Sequence, residues 1–279
     1  STKVSYFRER FPERFIPVGI AEQNMIGIAA GLATCGFVPF AATFACFASR
    51  RVCDQVTVSV AYPRLNVKIV GAYPGLFVGK NGATHQSLED IAIMRSIANM
   101  VVIEPFDGRE TEQVVEFACE YDGPVYLRIG RDEVSSSILP SGYRFQLGKG
   151  CVVKEGEDLT LISTGMLLED TLEVAFLLEK EGITSRVINM SSIKPIDEEL
   201  IVDSARKTGR IVTIENHNIF GGLGSAVAEV VCEKFPVPVK KIGINDVFGK
   251  SGTNEEMKKY FGLTVEDIAK KVLDFLKEK

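Results

Sequence analysis

The chain is poor in the groups that build zinc sites. His85 and His217 are its two histidines, and the six cysteines at positions 35, 46, 53, 119, 151 and 232 include no Cys-x-x-Cys pair. A Cys/His zinc site of the usual spacing is excluded, and buried, reduced thiols are the expected state of the cysteines. No basic excess exists either: 32 Lys and Arg stand against 37 Asp and Glu, a net charge of −5. Nucleic acid is therefore not an expected partner. A long uninterrupted apolar run is also missing, because the stretch from Met25 to Phe47 is broken by Gly27, Gly31, Thr34, Gly36, Pro39 and Thr43. It reads as helix then strand, not as a membrane span. Arg8, Glu9, Arg10, Glu13 and Arg14 charge the place where a signal peptide needs its apolar region, so a cytoplasmic location is expected.

What is present is enough hydrophobic sequence for two cores: 46% of 279 residues. FIPVGI (15–20), VPFAATF, NVKIVGAY, MVVIEP and PVYLRI read as strands, with helices over MIGIAAGLA, CDQVTVSVAY, LEDIAIMRSI and GRETEQVVEFACEY. Strand runs without polar alternation suit a parallel sheet covered on both faces. Residues 133–150 lose both periodicities and collect Ser, Pro and Gly, which marks a linker. Alternation then resumes through DLTLISTG, a helix over 166–181, SRVINM, DEELIVDSARKTG, RIVTIEN, GGLGSAVAEVVCEKF, VPVKKIGI and two closing helices. The expected fold is α/β, with two three-layer α/β/α domains at 1–132 and 151–279 and a mostly parallel sheet in the first. STKVSYFRERFPERF enters a helix with no strand ahead of it, so an edge element is expected to lie upstream of the first residue.

Several side chains invite a chemical reading. Glu22 stands where FIPVGI hands over to MIGIAAGLA. It either caps that helix, as an acid in a first turn can, or lies at the C-terminal sheet edge, where parallel sheets bind ligands and a carboxylate can share a proton with a ligand nitrogen. Phe44 and Phe47 lie three residues apart after the next strand, as core residues or as a platform for a flat ring. His85 sits in the glycine-bearing loop GLFVGKNGATHQSLED, beside Asn81 and Thr84, ahead of a helix starting near Ser87 or Leu88. Arg128 and Arg131 leave the fifth strand run, and either could reach an anion. Gly-Gly-Leu-Gly (221–224) lacks the spacing of a phosphate loop and reads better as close helix–sheet packing.

Taken in order, VGIAEQN, TFACFASRRVCDQV and VGKNGATHQSLEDIAIMR resemble the pyrimidine-binding half of thiamine diphosphate enzymes of the transketolase kind, and IKPID, GGLGSAV and FGKSGT resemble the third domain of that family. The resemblance spans nearly the whole chain and implies the following roles. Glu22 would hydrogen-bond the aminopyrimidine ring nitrogen of thiamine diphosphate and so help its exocyclic nitrogen remove the thiazolium C2 proton. Phe44 and Phe47 would surround the pyrimidine, with Arg50 where some members carry another aromatic ring. His85 would contact the sugar, and Arg131 its phosphate. Two departures bear on the donor: Asn81 replaces a usual aspartate, and Tyr73 stands where a second substrate histidine is common. The third domain is expected to serve dimer formation and packing, without touching the chemistry.

In the family the diphosphate and its divalent metal, Mg²⁺ or another, are held by a Gly-Asp-Gly motif, which this chain does not contain. The resemblance therefore implies one half of a split transketolase, whose partner would be an N-terminal, diphosphate-binding subunit holding the metal. It further implies self-association into an α2β2-type assembly acting on sugar phosphates. Rival readings are the C-terminal part of a 1-deoxyxylulose-5-phosphate synthase, the β subunit of a 2-oxo acid dehydrogenase E1 component, and a non-catalytic assembly partner that keeps the fold.

Overall fold

The computed structural model describes residues 2–131, 134 and 138–277. Asp132, Glu133 and Ser135–Ser137, at the start of the expected linker, lie outside the described residues.

The first sheet takes β1 (Phe40–Phe44), β2 (Lys68–Ala72), β3 (Val101–Ile103) and β4 (Val125–Ile129), with α1 (Ser5–Arg10), α2 (Glu22–Thr34), α3 (Ala45–Ser49), α4 (Cys53–Gln55), α5 (Asp90–Ser96) and α6 (Gly108–Glu120) before and between them. β1, β2, β4 and β3 run parallel in that spatial order. Ile26, Val60, Ile69, Ile91 and Met94 fill one face of this sheet, while Ile103, Val114, Ala118 and Leu127 fill the other. Burial on both faces is why these strands show no polar alternation.

The second sheet is built from β5 (Cys151–Lys154), β6 (Leu159–Ser163), β7 (Ser185–Asn189), β9 (Ile211–Asn218) and β10 (Val239–Ile244), in the order β10-β9-β6-β7-β5. β10, β9, β6 and β7 are parallel, and β5 pairs antiparallel with β7. α7 (Leu167–Lys180), α8 (Glu198–Thr208), α9 (Leu223–Lys234), α10 (Asn254–Phe261) and α11 (Val265–Lys277) cover it. Adjacent β6 residues divide between two cores: Leu161 packs with Leu178, Ile214 and Val272, and Ile162 packs with Ile188, Ile201 and Val227. The expected class, two α/β units with mostly parallel sheets, is what the chain adopts.

Two elements depart from expectation. FIPVGI forms no strand among the described residues; it runs as irregular chain with Ile20 95% exposed. A strand needs a ladder partner, and here the segment lies beside none. The short β8 (Ser192–Lys194), which no strand expectation covered, crosses from the second half to pair antiparallel with β3 as the fifth strand of the first sheet. Lys194 fixes that junction by donating to the carbonyls of Arg95 and Ile97 at 2.8 and 2.6 Å. The cysteine expectation also fails in part, since Cys46 is buried but Cys35, Cys119 and Cys232 are exposed and Cys53 and Cys151 are half-buried. Cys119 of α6 and Cys232 of α9 lie on the solvent side of their helices, and Cys35 follows the end of α2.

Candidate active site

Three neighbouring parallel strands deliver side chains to one edge. β1 ends at Phe44, β2 is followed by Tyr73, and β4 is followed by Arg131. Because β1, β2 and β4 are adjacent and codirectional, these residues emerge together at the carboxyl edge, where open α/β sheets hold ligands. Past β1 the chain turns into α3 and carries Phe47 back beside Phe44, with ring centroids 6.0 Å apart.

The loop after β2 closes the group. His85 meets Phe44 and Phe47 edge-on, at 5.5 and 5.3 Å between ring centroids. Phe44 in turn meets Tyr73 at 5.2 Å, and the Arg131 guanidinium lies 5.2 Å from the Tyr73 ring. Edge-to-face contacts of this kind fix ring orientation as well as burying area. Thr84 Oγ1 sits 3.0 Å from His85 Nδ1, Asn81 donates to the Val78 carbonyl at 3.2 Å, and Arg131 donates to the same carbonyl at 2.7 Å. Tyr73 itself holds a left-handed backbone (φ 57°), unusual for a bulky residue and typical of a position fixed by its surroundings.

Glu22 is the first residue of α2 and only 7% exposed. Its N-terminal placement satisfies the helix dipole. Its ion-pair partner is Arg51, whose Nη1 is 3.0 Å from Oε2, and the same guanidinium stacks 4.2 Å from the Phe47 ring centroid. Arg51 therefore joins Glu22 to the aromatic group. Arg50 instead pairs with Glu89 at 2.9 Å and reaches the Gln86 carbonyl at 3.4 Å. The turn between α3 and α4 tightens to 3-10 over Arg50–Val52, which shifts the direction of successive side chains.

Arg128 turns into the protein interior. It is fully buried, donating to Asp90 Oδ2 at 2.8 Å, to Glu104 Oε1 and to the Asn216 carbonyl at 2.8 Å. Tyr126 adds a 2.8 Å hydrogen bond to Asp90. Burial acts to lower the Arg128 pKa, but the two carboxylates outweigh it and hold the guanidinium above its ordinary range. For Asp90 burial is likewise outweighed, by Arg128, and its carboxyl is held below its usual value; burial pushes Glu104 up. The Gly-Gly-Leu-Gly turn is also filled from within: Glu215 accepts from the N–H groups of Leu223 and Gly224 at 2.7 and 2.9 Å. That occupancy fits the packing reading rather than anion binding. A cavity of about 120 Å³ bounded by Phe77, Met166, Asp170 and Lys258 contains none of the expected site residues.

One edge thus presents a buried acid, an aromatic wall, a histidine and two arginines. Those residues fit a flat nitrogen heterocycle: the rings offer faces and edges, and Glu22 offers a hydrogen-bond acceptor. For a diphosphate and metal the fit is different, since among the described residues no group of three or more His, Cys, Asp or Glu side chains could hold a metal ion.

Comparison with known proteins identifies the lineage. The family model for the transketolase pyrimidine binding domain matches residues 1–136, and that for the transketolase C-terminal domain matches residues 148–268. The chain belongs to the transketolase family. A putative transketolase C-terminal section from Methanocaldococcus jannaschii is 47% identical, covering 100% of this chain and 88% of the relative. The 6-deoxy-6-sulfo-D-fructose transketolase subunit SqwH of Clostridium sp. (strain MSTE9) is 46% identical over 97% of this chain and 84% of its own length. Among solved structures, a split gene transketolase described as an inactive beta4 tetramer superposes with a TM-score of 0.91 at 48% identity, covering 98% of this chain and 89% of that one. The transketolase-family identity agrees with the sequence resemblance, and these two relatives are named as a transketolase section and a transketolase subunit.

Proposed function

We propose that this chain is the pyrimidine-binding subunit of a two-subunit transketolase, moving a two-carbon ketol unit between sugar phosphates. The observation carrying this reading is the buried Glu22 at the start of α2, tied through Arg51 to the Phe44–Phe47–His85 ring cluster. Thiamine diphosphate, when bound, supplies the nucleophilic carbon and the electron sink for cleaving a carbon–carbon bond beside a carbonyl. Glu22 holds a proton at the pyrimidine ring nitrogen. Phe44 and Phe47 orient that ring and keep water from it. His85 and Asn81 hydrogen-bond the donor sugar, Tyr73 packs against it, and Arg131 binds the phosphate end as a charge-assisted partner.

A partner chain supplies the diphosphate cradle and the metal; the likeness to split transketolase subunits supports this, as does the lack of a Gly-Asp-Gly motif in this sequence. An α2β2-type assembly joins two such pairs. The domains are taken as 1–132 and 151–279 with 133–150 between them, and β8 bridges the two.

The similarity to a sulfofructose transketolase subunit makes a sulfonated ketose a second candidate donor, for which Arg131 would serve equally as the anion partner. Glu22→Gln tests the core of the reading. In the complex with its diphosphate-binding partner, turnover should fall by about 100-fold or more for loss of a proton-transfer group, while sedimentation shows the same assembly. Unchanged turnover would remove Glu22 from the chemistry.

A further inference from the structure

Loop 74–87 carries His85 and Asn81, and both of its flanks are held by the second half of the chain. At its neck, Gly75 and Ser87 exchange backbone hydrogen bonds of 2.9 and 3.3 Å. There Asn216, at the carboxyl end of β9 and 5% exposed, accepts from the Leu76 N–H at 2.9 Å and donates to the Pro74 carbonyl at 3.3 Å. Gly75 has φ +66°, and a Cβ on it would lie 2.2 Å from the Asn216 side chain. Only glycine admits both that backbone and that approach.

Farther along, Gln86 is 2% exposed and donates to the Leu76 carbonyl at 3.2 Å and the Lys250 carbonyl at 2.9 Å. A Cβ on Gly249 would lie 1.6 Å from Gln86 Oε1, and one on Gly82 would lie 2.4 Å from Ser251 Oγ. Segment 249–251, from the stretch that leads into α10, therefore lies directly against the loop. Asn216 also ties to Arg128 through its carbonyl, so the neck is anchored on the fully buried Arg128–Asp90–Glu104 group.

We propose that Asn216 and Gln86 are positioning residues: through them the C-terminal half sets where His85 and Asn81 stand against the substrate. This replaces the expectation that residues 151–279 keep apart from the chemistry, and it rests on the reading of His85 as a sugar contact. A loop carrying several left-handed residues has little inherent preference for one shape, so its geometry is imposed from outside. Small displacements of a substrate contact are costly, with about 100-fold lost for about 1 Å.

The test uses the full chain reconstituted with its diphosphate-binding partner. Asn216→Ala should raise the donor KM about tenfold to 100-fold and leave thiamine diphosphate affinity within about twofold, as expected of a remote site. In a double-mutant cycle, Asn216→Ala added to His85→Ala should lower kcat/KM by clearly less than it does in the wild type, the remainder being its effect through Asn81, because residues acting as one unit are not additive. Gly249→Ala, which pushes Gln86 aside, should reproduce the KM effect should Asn216→Ala fold poorly. Hydrogen exchange at the Leu76 amide should quicken in Asn216→Ala whatever the activity. Multiplicative losses in the cycle, or unchanged Leu76 exchange, would overturn the proposal. A wild-type complex inactive on every ketose phosphate would instead refute the ketol-transfer reading, leaving exchange to decide the clamp.

Discussion

At the scale of single residues, the buried acid–base groups make claims that stability can check. Burial pushes Glu215 up to about 7, against the pull of the Gly224 and Leu223 N–H groups, and pushes His217 down to about 4. The native state holds the Glu215 proton more tightly than the unfolded chain does, so this group's contribution falls as pH rises from 4.5 to about 7. For His217 the unfolded chain takes up the proton first, so its contribution grows as pH rises from about 4 to 6.5. Each acts with a slope of at most about 1.4 kcal/mol per pH unit, and the two nearly cancel where they overlap. Glu215→Gln should therefore show stability rising with pH relative to wild type across that overlap, and His217→Asn should show it falling. Urea titrations at several pH values read this directly, and parallel curves for all three proteins would contradict it. Which residues could be foreseen follows a similar logic. Glu22, Phe44, Phe47, Tyr73, His85 and Arg131 were legible as candidates because they sit in ordered motifs, and the structure gathers the rings, His85 and Arg131 at one edge, while their roles belong to the proposal. Arg51 was not, because a 3-10 turn between two helices decides which of two adjacent arginines turns inward.

Among the elements, β4 does the most to join the molecule. It lies between β2 and β3 in the first sheet and carries Arg128 into contact with Asp90 of α5, Glu104 after β3 and Asn216 of β9. Removing the cation strands two buried carboxylates. Arg128→Met should cost about 3–5 kcal/mol of unfolding free energy, the range for breaking a buried pair from one side. Denaturant melting of the chain measures it, and a loss below about 1 kcal/mol, the scale of an exposed pair, would mean that water or proton uptake relieves the site. Apolar runs told where the parallel strands lie, since a strand buried on both faces leaves an unmistakable signal. They misled at FIPVGI, whose composition is strand-like but which has no ladder to join, and they were silent on β8, too short to show a period. α10 went unmarked as a capped helix, although Thr253 and Glu256 form a full capping box at its start.

For the whole molecule, the family and the layered α/β architecture were legible from ordered motifs, whereas the wiring between the halves was not. Long-range contacts such as Asn216 with Leu76 or Gln86 with Lys250 join positions 140 and 164 residues apart and leave no local pattern in the sequence. The central claim is that this chain completes a ketol-transfer site with a partner holding the diphosphate and metal. The most direct measurement is turnover after mixing it with the Gly-Asp-Gly-bearing subunit from the same source, in thiamine diphosphate and Mg²⁺. Parallel assays would contain xylulose 5-phosphate with ribose 5-phosphate, a sulfonated ketose with the same acceptor, and pyruvate with glyceraldehyde 3-phosphate. The account expects a two-carbon transfer product in the first or second assay, only when both subunits are present, and none in the third. Product in the pyruvate assay alone, or full turnover by this chain without a partner, would contradict it.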